Sequence, residues 1–113
     1  MRDCTFCRVL AGDEPGRIVY RDEDVTAFHD RSPQAPVHVL IIPNRHIESV
    51  NEIETGDAAL IGGLLLVARR VAEKLGVESG YRLVINTGRR AGQSVPHLHV
   101  HLLAGRALSW PPG

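Results

Sequence analysis

The 113-residue sequence has no excess of charge of either sign. Thirteen basic and thirteen acidic residues give a formal net charge of zero at pH 7. A nucleic-acid partner or a membrane surface is attracted by a field of one sign, so we expect neither as a partner. A neutral surface offers little opposition to self-association, which favours an oligomer.

We expect neither a secretory signal nor a membrane-spanning segment. No apolar stretch follows the first positive charge in residues 1–4, so we expect no signal peptide. The longest apolar run, 58–68, contains two glycines and is too short to span a bilayer. We therefore expect a cytoplasmic location, where Cys4 and Cys7 stay reduced and serve as a thiol pair or as metal ligands.

What is present is enough apolar material for a packed core, 43% of residues, in a chain whose length fits one domain spanning 1–113. Alternating and helical apolar spacing, with turn residues between the segments, predicts five strands and two helices connected mostly by hairpins. This pattern is typical of an α+β fold with an antiparallel sheet. The predicted elements are a short helix over 4–11, a long helix over 57–75, and strands over 17–20, 25–28, 37–42, 81–85 and 97–103.

The long predicted helix contains an adjacent pair of glycines, Gly62 and Gly63. Each glycine costs a helix roughly 1 kcal/mol relative to alanine. Two interpretations are open: another backbone, such as that of a partner subunit, approaches the pair closely, or the helix simply tolerates it.

Three histidines alternate with apolar residues near the end of the chain. In a strand His97, His99 and His101 share one face, and the apolar residues between them can face the core. His38, in another apolar strand, can join them. Imidazole is a nucleophile and proton carrier near pH 7, so the cluster predicts a reactive site. The alternatives are histidines that are solvated or satisfied within the core, and a catalytic metal held by all three.

The segment 97–103, H-L-H-V-H-L-L, resembles the signature of the histidine-triad (HIT) superfamily. Segment 28–38 resembles the nucleotide-binding region of that family, and Asn86 with 91–95 precedes the triad as it does there. The tail 110–113, W-P-P-G, resembles the Hint branch, the purine nucleoside phosphoramidases. The resemblance covers nearly the whole chain. It implies a HIT-like α+β fold, with a five-stranded antiparallel sheet, one long and one short helix, and a homodimer.

The resemblance also implies a reaction, hydrolysis of nucleoside 5′-monophosphoramidates and related nucleotidyl conjugates. His99 would attack the phosphorus and form a covalent nucleotidyl-histidine, which water then releases. His101 and Ser94 would bond the phosphate oxygens or the leaving atom, and His38 would fix the ring tautomers. The ligand would be a purine nucleotide of the AMP or GMP type, and catalysis would need no cofactor.

Further residues are implied as substrate contacts. Asp30 would accept hydrogen bonds from the ribose hydroxyls, although an aspartate in a loop is often only a turn or cap residue. Arg31 departs from the aliphatic residue expected beside the ribose. The remaining implied contacts are Asn86 and Gln93 at the phosphate, Gly92 in a loop backbone near it, Phe6, Val9 and Phe28 at the base, and Trp110 near the leaving group.

The motif Cys4-Thr5-Phe6-Cys7 has the spacing of a redox pair or of half a zinc site. Thioredoxin-like motifs follow a strand, and none is predicted before Cys4. The resemblance implies that His46 and His97 complete a closed Cys₂His₂ site for structural Zn²⁺. Free cysteines beside a surface His46 are the alternative.

Two rival functions share most of these features. The first is a dinucleoside polyphosphate hydrolase or phosphorylase of the same superfamily, which would use His99 with a different leaving group. The second is a nucleotide-binding adaptor with vestigial catalysis, against which the intact triad and Ser94 argue.

Overall fold

Hairpin pairing and one helical crossover arrange the five strands in a single antiparallel sheet of order β1-β2-β3-β5-β4. The computed structural model describes residues 4–12 and 17–113, so parts of the predicted domain, 1–3 and 13–16, lie outside the described residues. The α+β prediction is confirmed. The helices and strands are α1 (Thr5–Ala11), β1 (Arg17–Arg21), β2 (Val25–His29), β3 (Val37–Pro43), α2 (Ala58–Lys74), β4 (Tyr81–Val84) and β5 (Val100–Ala104).

Helix α2 packs on one face of the sheet through side chains such as Leu64, Val67 and Val71, which are almost fully buried. Their helical spacing is the reason that the sequence predicts this helix correctly to within a residue. Gly76 follows the helix with a φ of 73°, the left-handed conformation typical of a helix end. None of the helices in the described ranges has the length and apolar character needed to cross a membrane.

The two faces of the sheet belong to different clusters of side chains. In β3, Val39 and Ile41 join the core beneath α2, whereas Leu40 and Ile42 join a second cluster with Phe6 and the rest of α1. This division follows the alternation of side chains along a strand. The two helices therefore cover opposite faces, and α1 lies on the face where the Phe6 ring contacts the His99 ring.

Strand β5 begins at Val100, later than the predicted start at His97. The backbone N–H of His97 donates to the Val95 carbonyl (2.8 Å), and that of Leu98 donates to Ile47 (2.6 Å). These hydrogen bonds connect the segment to neighbouring loops instead of to a β-ladder. The alternation of apolar residues indicates which face of the sheet a side chain lies on, but it does not indicate the hydrogen-bond partner of the backbone. The predicted strand 97–103 therefore began three residues too early.

The alternation of sides nevertheless extends beyond the strand. Leu98 is buried in the core beneath α2. The rings of His99 and His101 lie on the opposite side with their centroids 4.8 Å apart, and the Phe6 ring contacts both His97 and His99. The last residue of each of the five strands differs from the prediction by one position, and none of these differences changes the face on which the histidines lie.

The glycine pair of α2 has open space around it within the chain. A Cβ at Gly62 or Gly63 would meet no heavy atom within 4 Å outside its own helix turn in the described structure. Close approach by another part of the same chain is therefore wrong as an explanation. Approach by a partner subunit stays a prediction.

Gly105, directly after β5, is a position where glycine is required. Its φ is 93°, and a Cβ there would lie 2.8 Å from Cβ of Pro36. Gly105→Ala should therefore lower the free energy of unfolding by about 1–3 kcal/mol. Gly56→Ala is the matched control, because nothing lies within 4 Å of a Cβ there. Urea unfolding of both variants measures the difference, and equal stabilities would contradict the close contact with Pro36.

Candidate active site and metal centre

A cleft of about 410 Å³ lies on the α1 face of the sheet, and the histidines form its floor. Helix α1, β2, the loop over 30–36, β3, and the approach to β5 all contribute to its walls. The lining residues are Thr5, Phe6, Val9, Phe28, His29, Asp30, Arg31, Ser32, Gln34, His38, Leu40, Ser94, Val95, His99 and His101.

A larger cleft, of about 600 Å³, lies between the β1–β2 turn and α2. Its charged lining includes an ion pair between Arg45 and Asp57, and no histidine is among the described residues around it. Size alone therefore does not identify the reactive site. The smaller cleft combines an apolar wall with convergent titratable groups, as ligand sites usually do.

His99 has one ring nitrogen bound to the backbone and one free for chemistry. Its Nδ1 lies 2.6 Å from the carbonyl oxygen of His97. A carbonyl oxygen only accepts hydrogen bonds, so Nδ1 carries the proton and Nε2 carries the lone pair. The ring also packs edge-on against Phe6, with centroids 5.0 Å apart. His99 is thus held as the tautomer that a nucleophilic Nε2 requires.

His38 and His101 form a directed chain of hydrogen bonds. The backbone N–H of Gln34 donates to Nδ1 of His38 (3.0 Å), so the proton of that ring is on Nε2. This Nε2 lies 2.9 Å from Nδ1 of His101 and donates to it. The proton of neutral His101 is then on its Nε2. One backbone N–H thereby sets the tautomers of two rings.

Burial keeps these histidines neutral. Burial, with smaller contributions from the neighbouring rings of His99 and His38, lowers the pKa of His101 from 6.5 to about 4. Burial also lowers the pKa of His38 and of His99 below 6.5, against smaller opposing effects. At pH 7 the rings are neutral, which is the condition for the tautomers described above.

Asp30 has the turn role that the sequence offered as the alternative, and its contact with ribose hydroxyls stays a prediction. One carboxylate oxygen accepts the backbone N–H of Ser32 at 2.7 Å, as a turn aspartate does. The other oxygen lies 3.5 Å from Nε2 of His38 at the edge of the cleft. This placement favours the Nε2 proton of His38 and leaves carboxylate surface toward a ligand.

The cleft brings together most of the predicted substrate contacts but not all. Phe6, Val9, Phe28, Arg31 and Ser94 line it. Asn86, Gly92, Gln93 and Trp110 do not line it within this chain.

The side-chain amide of Gln93 makes three hydrogen bonds to backbone groups in and near the loop that contains Gly88 and Gly92. Its oxygen accepts the N–H of Gly88 (2.9 Å), and its nitrogen donates to the carbonyls of Glu48 (2.7 Å) and Val95 (3.1 Å). These bonds engage both ends of the amide that was predicted to contact phosphate. Trp110 is 82% exposed in the tail, apart from the cleft of its own chain.

A second cluster, formed by Cys4, Cys7, His46 and His97, lies where the N-terminus of α1 meets the segment before β5. The potential ligand atoms of the four residues all lie within 4.8 Å of one another. Nδ1 of His97 is 3.3 Å from Sγ of Cys4 and 3.5 Å from Sγ of Cys7, and Nδ1 of His46 is 3.2 Å from Sγ of Cys7. A tetrahedral site with ordinary zinc bond lengths has S···N separations of about 3.6 Å. The four residues can hold a metal ion.

The tautomer of His97 supports this reading. Its Nε2 lies 2.8 Å from the carbonyl oxygen of Pro43 and therefore carries the proton. Nδ1 is left with its lone pair toward the cysteines. A ring whose second nitrogen donates to a carbonyl is the usual arrangement of a ligating histidine.

Asp30, His38 and His101 form another cluster of possible ligands, but its hydrogen bonds oppose metal binding. The backbone N–H at Nδ1 of His38 puts the proton on Nε2, the atom that faces the cluster. Coordination through Nε2 would require the loss of that hydrogen bond or of that proton. Among the described residues, neither cluster contains all three histidines of the triad. One metal held by the whole triad therefore has no counterpart in this geometry.

The sequence did not reveal the backbone groups that orient the rings. The carbonyls of Pro43 and His97 and the N–H of Gln34 carry no side-chain signature. Leu40 and Val95, which also line the cleft, resemble ordinary core residues in the sequence. Only the alternation of β3, which puts Leu40 on the same face as His38, points to one of them.

Comparison with known proteins agrees with this arrangement. The HIT domain family matches residues 11–108. An uncharacterized HIT-like protein of Synechococcus elongatus is 48% identical over 111 residues, covering 98% of this chain and 97% of that protein. A HIT family hydrolase from Legionella pneumophila has a TM-score of 0.95 at 43% identity, covering 98% of this chain and 100% of that one. A HIT family hydrolase from Clostridium thermocellum has a TM-score of 0.93 at 46% identity, covering 96% of each chain.

Loss of one thiolate should empty the metal centre. We expect Cys7→Ser to reduce the zinc content from about one ion per chain to near zero, because three ligands no longer close the site. The midpoint of thermal unfolding should fall by at least about 4–8 °C, the equivalent of 1 kcal/mol in a chain of this size. Elemental analysis and calorimetry measure the two effects. His29→Gln, outside the cluster, should keep its zinc, and full zinc in Cys7→Ser would contradict the assignment.

His101 should make stability depend on pH in the acid range. Its folded-state pKa of about 4 lies below the ordinary 6.5, so the unfolded chain binds the proton first as the pH falls. The stabilisation is therefore complete above pH 6.5 and is lost progressively toward pH 4, by up to about 1.4 kcal/mol per pH unit. His101→Asn should have a correspondingly shallower dependence in denaturant unfolding between pH 7 and 4. Identical slopes in the two proteins would contradict the lowered pKa.

Proposed function

The chain belongs to the HIT family, and on that premise we propose that it hydrolyses nucleoside 5′-monophosphoramidates and related nucleotidyl conjugates through a covalent nucleotidyl-histidine. HIT family hydrolases with closely similar structures support a hydrolase or transferase. Proteins of the family generally bind nucleotides. The finer assignment, to phosphoramidates of purine nucleotides of the AMP or GMP type, rests on the resemblance of the sequence to the Hint branch, and the cleft supports a nucleotide ligand in general.

The observation that carries the proposal is the pairing of opposite tautomers at the floor of the cleft. His99 offers a lone pair on Nε2, and His101 offers a proton on Nε2. Their rings are adjacent, with centroids 4.8 Å apart. A nucleophile beside a proton donor is what displacement of an amine from phosphorus requires.

The first step forms the bond from His99 Nε2 to phosphorus and breaks the phosphorus–nitrogen bond. The leaving nitrogen keeps the electron pair of that bond and takes the proton from His101 Nε2. A proton from solvent replaces the one that His101 gives up, so the pair His101–His38 stays neutral and the substituted His99 ring carries the positive charge. In the second step, the oxygen of water bonds to phosphorus, the displaced proton of the water returns to solvent, and His99 leaves as a neutral ring.

The walls of the cleft suit a nucleoside. Phe6, Val9, Phe28 and Leu40 provide an apolar surface for a flat base, and Phe6 and Phe28 pack edge to face with centroids 5.4 Å apart. Asp30 has a carboxylate oxygen available for ribose hydroxyls. Ser94, on the approach to the triad, can bond a phosphate oxygen.

We assign the cluster of Cys4, Cys7, His46 and His97 to structural Zn²⁺. Two thiolates and two imidazoles are a usual zinc ligand set, and four protein ligands leave no open position for substrate. When bound, the ion would cross-link α1 to the segment before β5. His97 is the link to catalysis, because its side chain faces the cysteines while its carbonyl holds the nucleophile His99.

Two further proposals concern the cellular state. A homodimer is supported by Leu65 and Leu66, apolar residues that are about half exposed on α2, and by the open surface of the neighbouring glycine pair. A cytoplasmic location is supported by the unpaired thiols of Cys4 and Cys7, which need a reducing compartment to remain available to a metal.

The covalent intermediate provides the main test. Quenching with an alkaline denaturant during turnover of an adenosine phosphoramidate should trap one adenylate on His99, which mass spectrometry of the protein digested at alkaline pH can locate. His99→Ala should abolish the adduct and lower kcat/KM at least about a thousandfold, as loss of a nucleophile does. An adduct on another residue, or full activity without His99, would refute the mechanism.

The choice of substrate class needs a separate comparison. We expect a higher kcat/KM for the phosphoramidate than for a diadenosine polyphosphate under the same conditions. The reverse preference would favour the dinucleoside polyphosphate hydrolase. Nucleotide binding without any turnover would favour the adaptor.

A further inference from the structure

We propose that Arg106 is a positioning residue for proton transfer, because it holds the backbone of Gln34 in the orientation that sets the tautomers of His38 and His101. The effect of Arg106 on catalysis rests on the proposed function. The effect of Arg106 on the tautomers is independent of that function and can be measured without any substrate.

Arg106 follows β5 and reaches back to the loop that borders the cleft. Its Nε and Nη2 both donate to the carbonyl oxygen of Gln34, at 3.2 and 3.1 Å. Its Nη1 donates to the carbonyl of Ala107 at 3.0 Å. The planar guanidinium is thus fixed at one end to its own segment and at the other to Gln34.

The same residue, Gln34, supplies the N–H that bonds Nδ1 of His38 at 3.0 Å. Gln34 is an exposed loop residue, so water can compete for the hydrogen bonds of its carbonyl. Two donors from Arg106 hold the carbonyl against this competition. Gly105 supports the arrangement by close contact with Pro36 in the same loop.

The tautomers depend on this N–H. Without a donor at Nδ1, His38 can place its own proton there and turn a lone pair on Nε2 toward His101. His101 must then carry its proton on Nδ1, and its Nε2 has none to give to the leaving nitrogen. Asp30, 3.5 Å from Nε2 of His38, opposes this change only in part. Arg106 therefore acts on the reaction through two hydrogen-bonded neighbours and contacts no substrate.

Imidazole nitrogen-15 spectra test the structural half of the proposal. In the wild-type protein Nδ1 of His38 should give the signal of an unprotonated acceptor and Nε2 that of a protonated nitrogen. Arg106→Met should move both signals toward a mixture of tautomers, and Arg106→Lys, which keeps a donor, should move them less. The matched control is Arg82→Met, because Arg82 also donates to backbone carbonyls, at Leu108 and Ser109, but does not touch the Gln34 loop. Unchanged His38 signals in folded Arg106→Met, or equal changes in Arg82→Met, would overturn the proposal.

Turnover tests the catalytic half. With an alkylamine phosphoramidate of AMP, whose leaving group needs a proton, Arg106→Met should lower kcat about tenfold, a part of what general acid catalysis contributes. With the p-nitrophenyl ester of AMP, whose leaving group needs none, kcat should change less than about twofold. An equal loss of kcat on the two substrates would contradict a role in proton transfer and would leave Arg106 only a structural role. If Arg106→Met does not fold, Arg106→Lys carries both comparisons.

Failure of the proposed function would look different. Wild-type protein that turns over neither substrate would refute the phosphoramidase assignment, while the nitrogen-15 comparison would still decide whether Arg106 sets the tautomers.

Discussion

A peptide carbonyl accepts hydrogen bonds and never donates them, so an imidazole nitrogen that faces one must carry the proton. The carbonyl of Pro43 does this to Nε2 of His97, and the carbonyl of His97 does it to Nδ1 of His99. The N–H of Gln34 imposes the opposite condition on His38. Backbone groups held by the fold thus determine which nitrogen of each ring carries a lone pair, and the two clusters of the molecule follow from that assignment.

The assignment also explains why chemically identical side chains in one short segment have different surroundings. His97 turns an Nδ1 lone pair to two thiols, His99 turns an Nε2 lone pair to the cleft, and His101 turns a proton there. Such diversity requires irregular backbone at the start of the segment, because a regular strand would commit its backbone groups to the ladder. The late start of β5 at Val100 leaves the His97 carbonyl available to His99. The three residues wrongly predicted as strand, 97–99, therefore include the carbonyl group that orients the His99 ring.

Sequence patterns predicted the parts of the structure that depend on side-chain character. The spacing of apolar residues predicted α2 and the strands within a few residues, and the alternation around His99 predicted the shared face of the histidines. The structure also places His38, Asp30 and Phe28 in one cleft, and their roles toward a substrate stay predictions. Sequence patterns could not predict which side chains form hydrogen bonds with backbone groups, because those bonds depend on the path of the backbone. The family resemblance implied that Gln93 contacts the phosphate, and in the structure its side-chain amide makes hydrogen bonds to three backbone groups.

Burial favours the neutral form of these rings, which is also the form that the proposed reaction requires. A buried imidazole is costly when charged, and the low pKa of His101 reflects that cost. A neutral imidazole still needs a hydrogen-bond partner for each nitrogen. In His97 and His99 a backbone carbonyl is the partner of one nitrogen, and the second nitrogen faces the cysteines or the cleft. A nucleophilic histidine must also be neutral, so the protonation state that folding favours is the one that the proposed reaction requires. Charged rings would need counter-ions on this face, and Asp30 is the one carboxylate among the described residues that line the cleft. A single carboxylate cannot neutralise three rings, and neutrality with fixed tautomers is therefore the state in which this cleft is stable and ready to react.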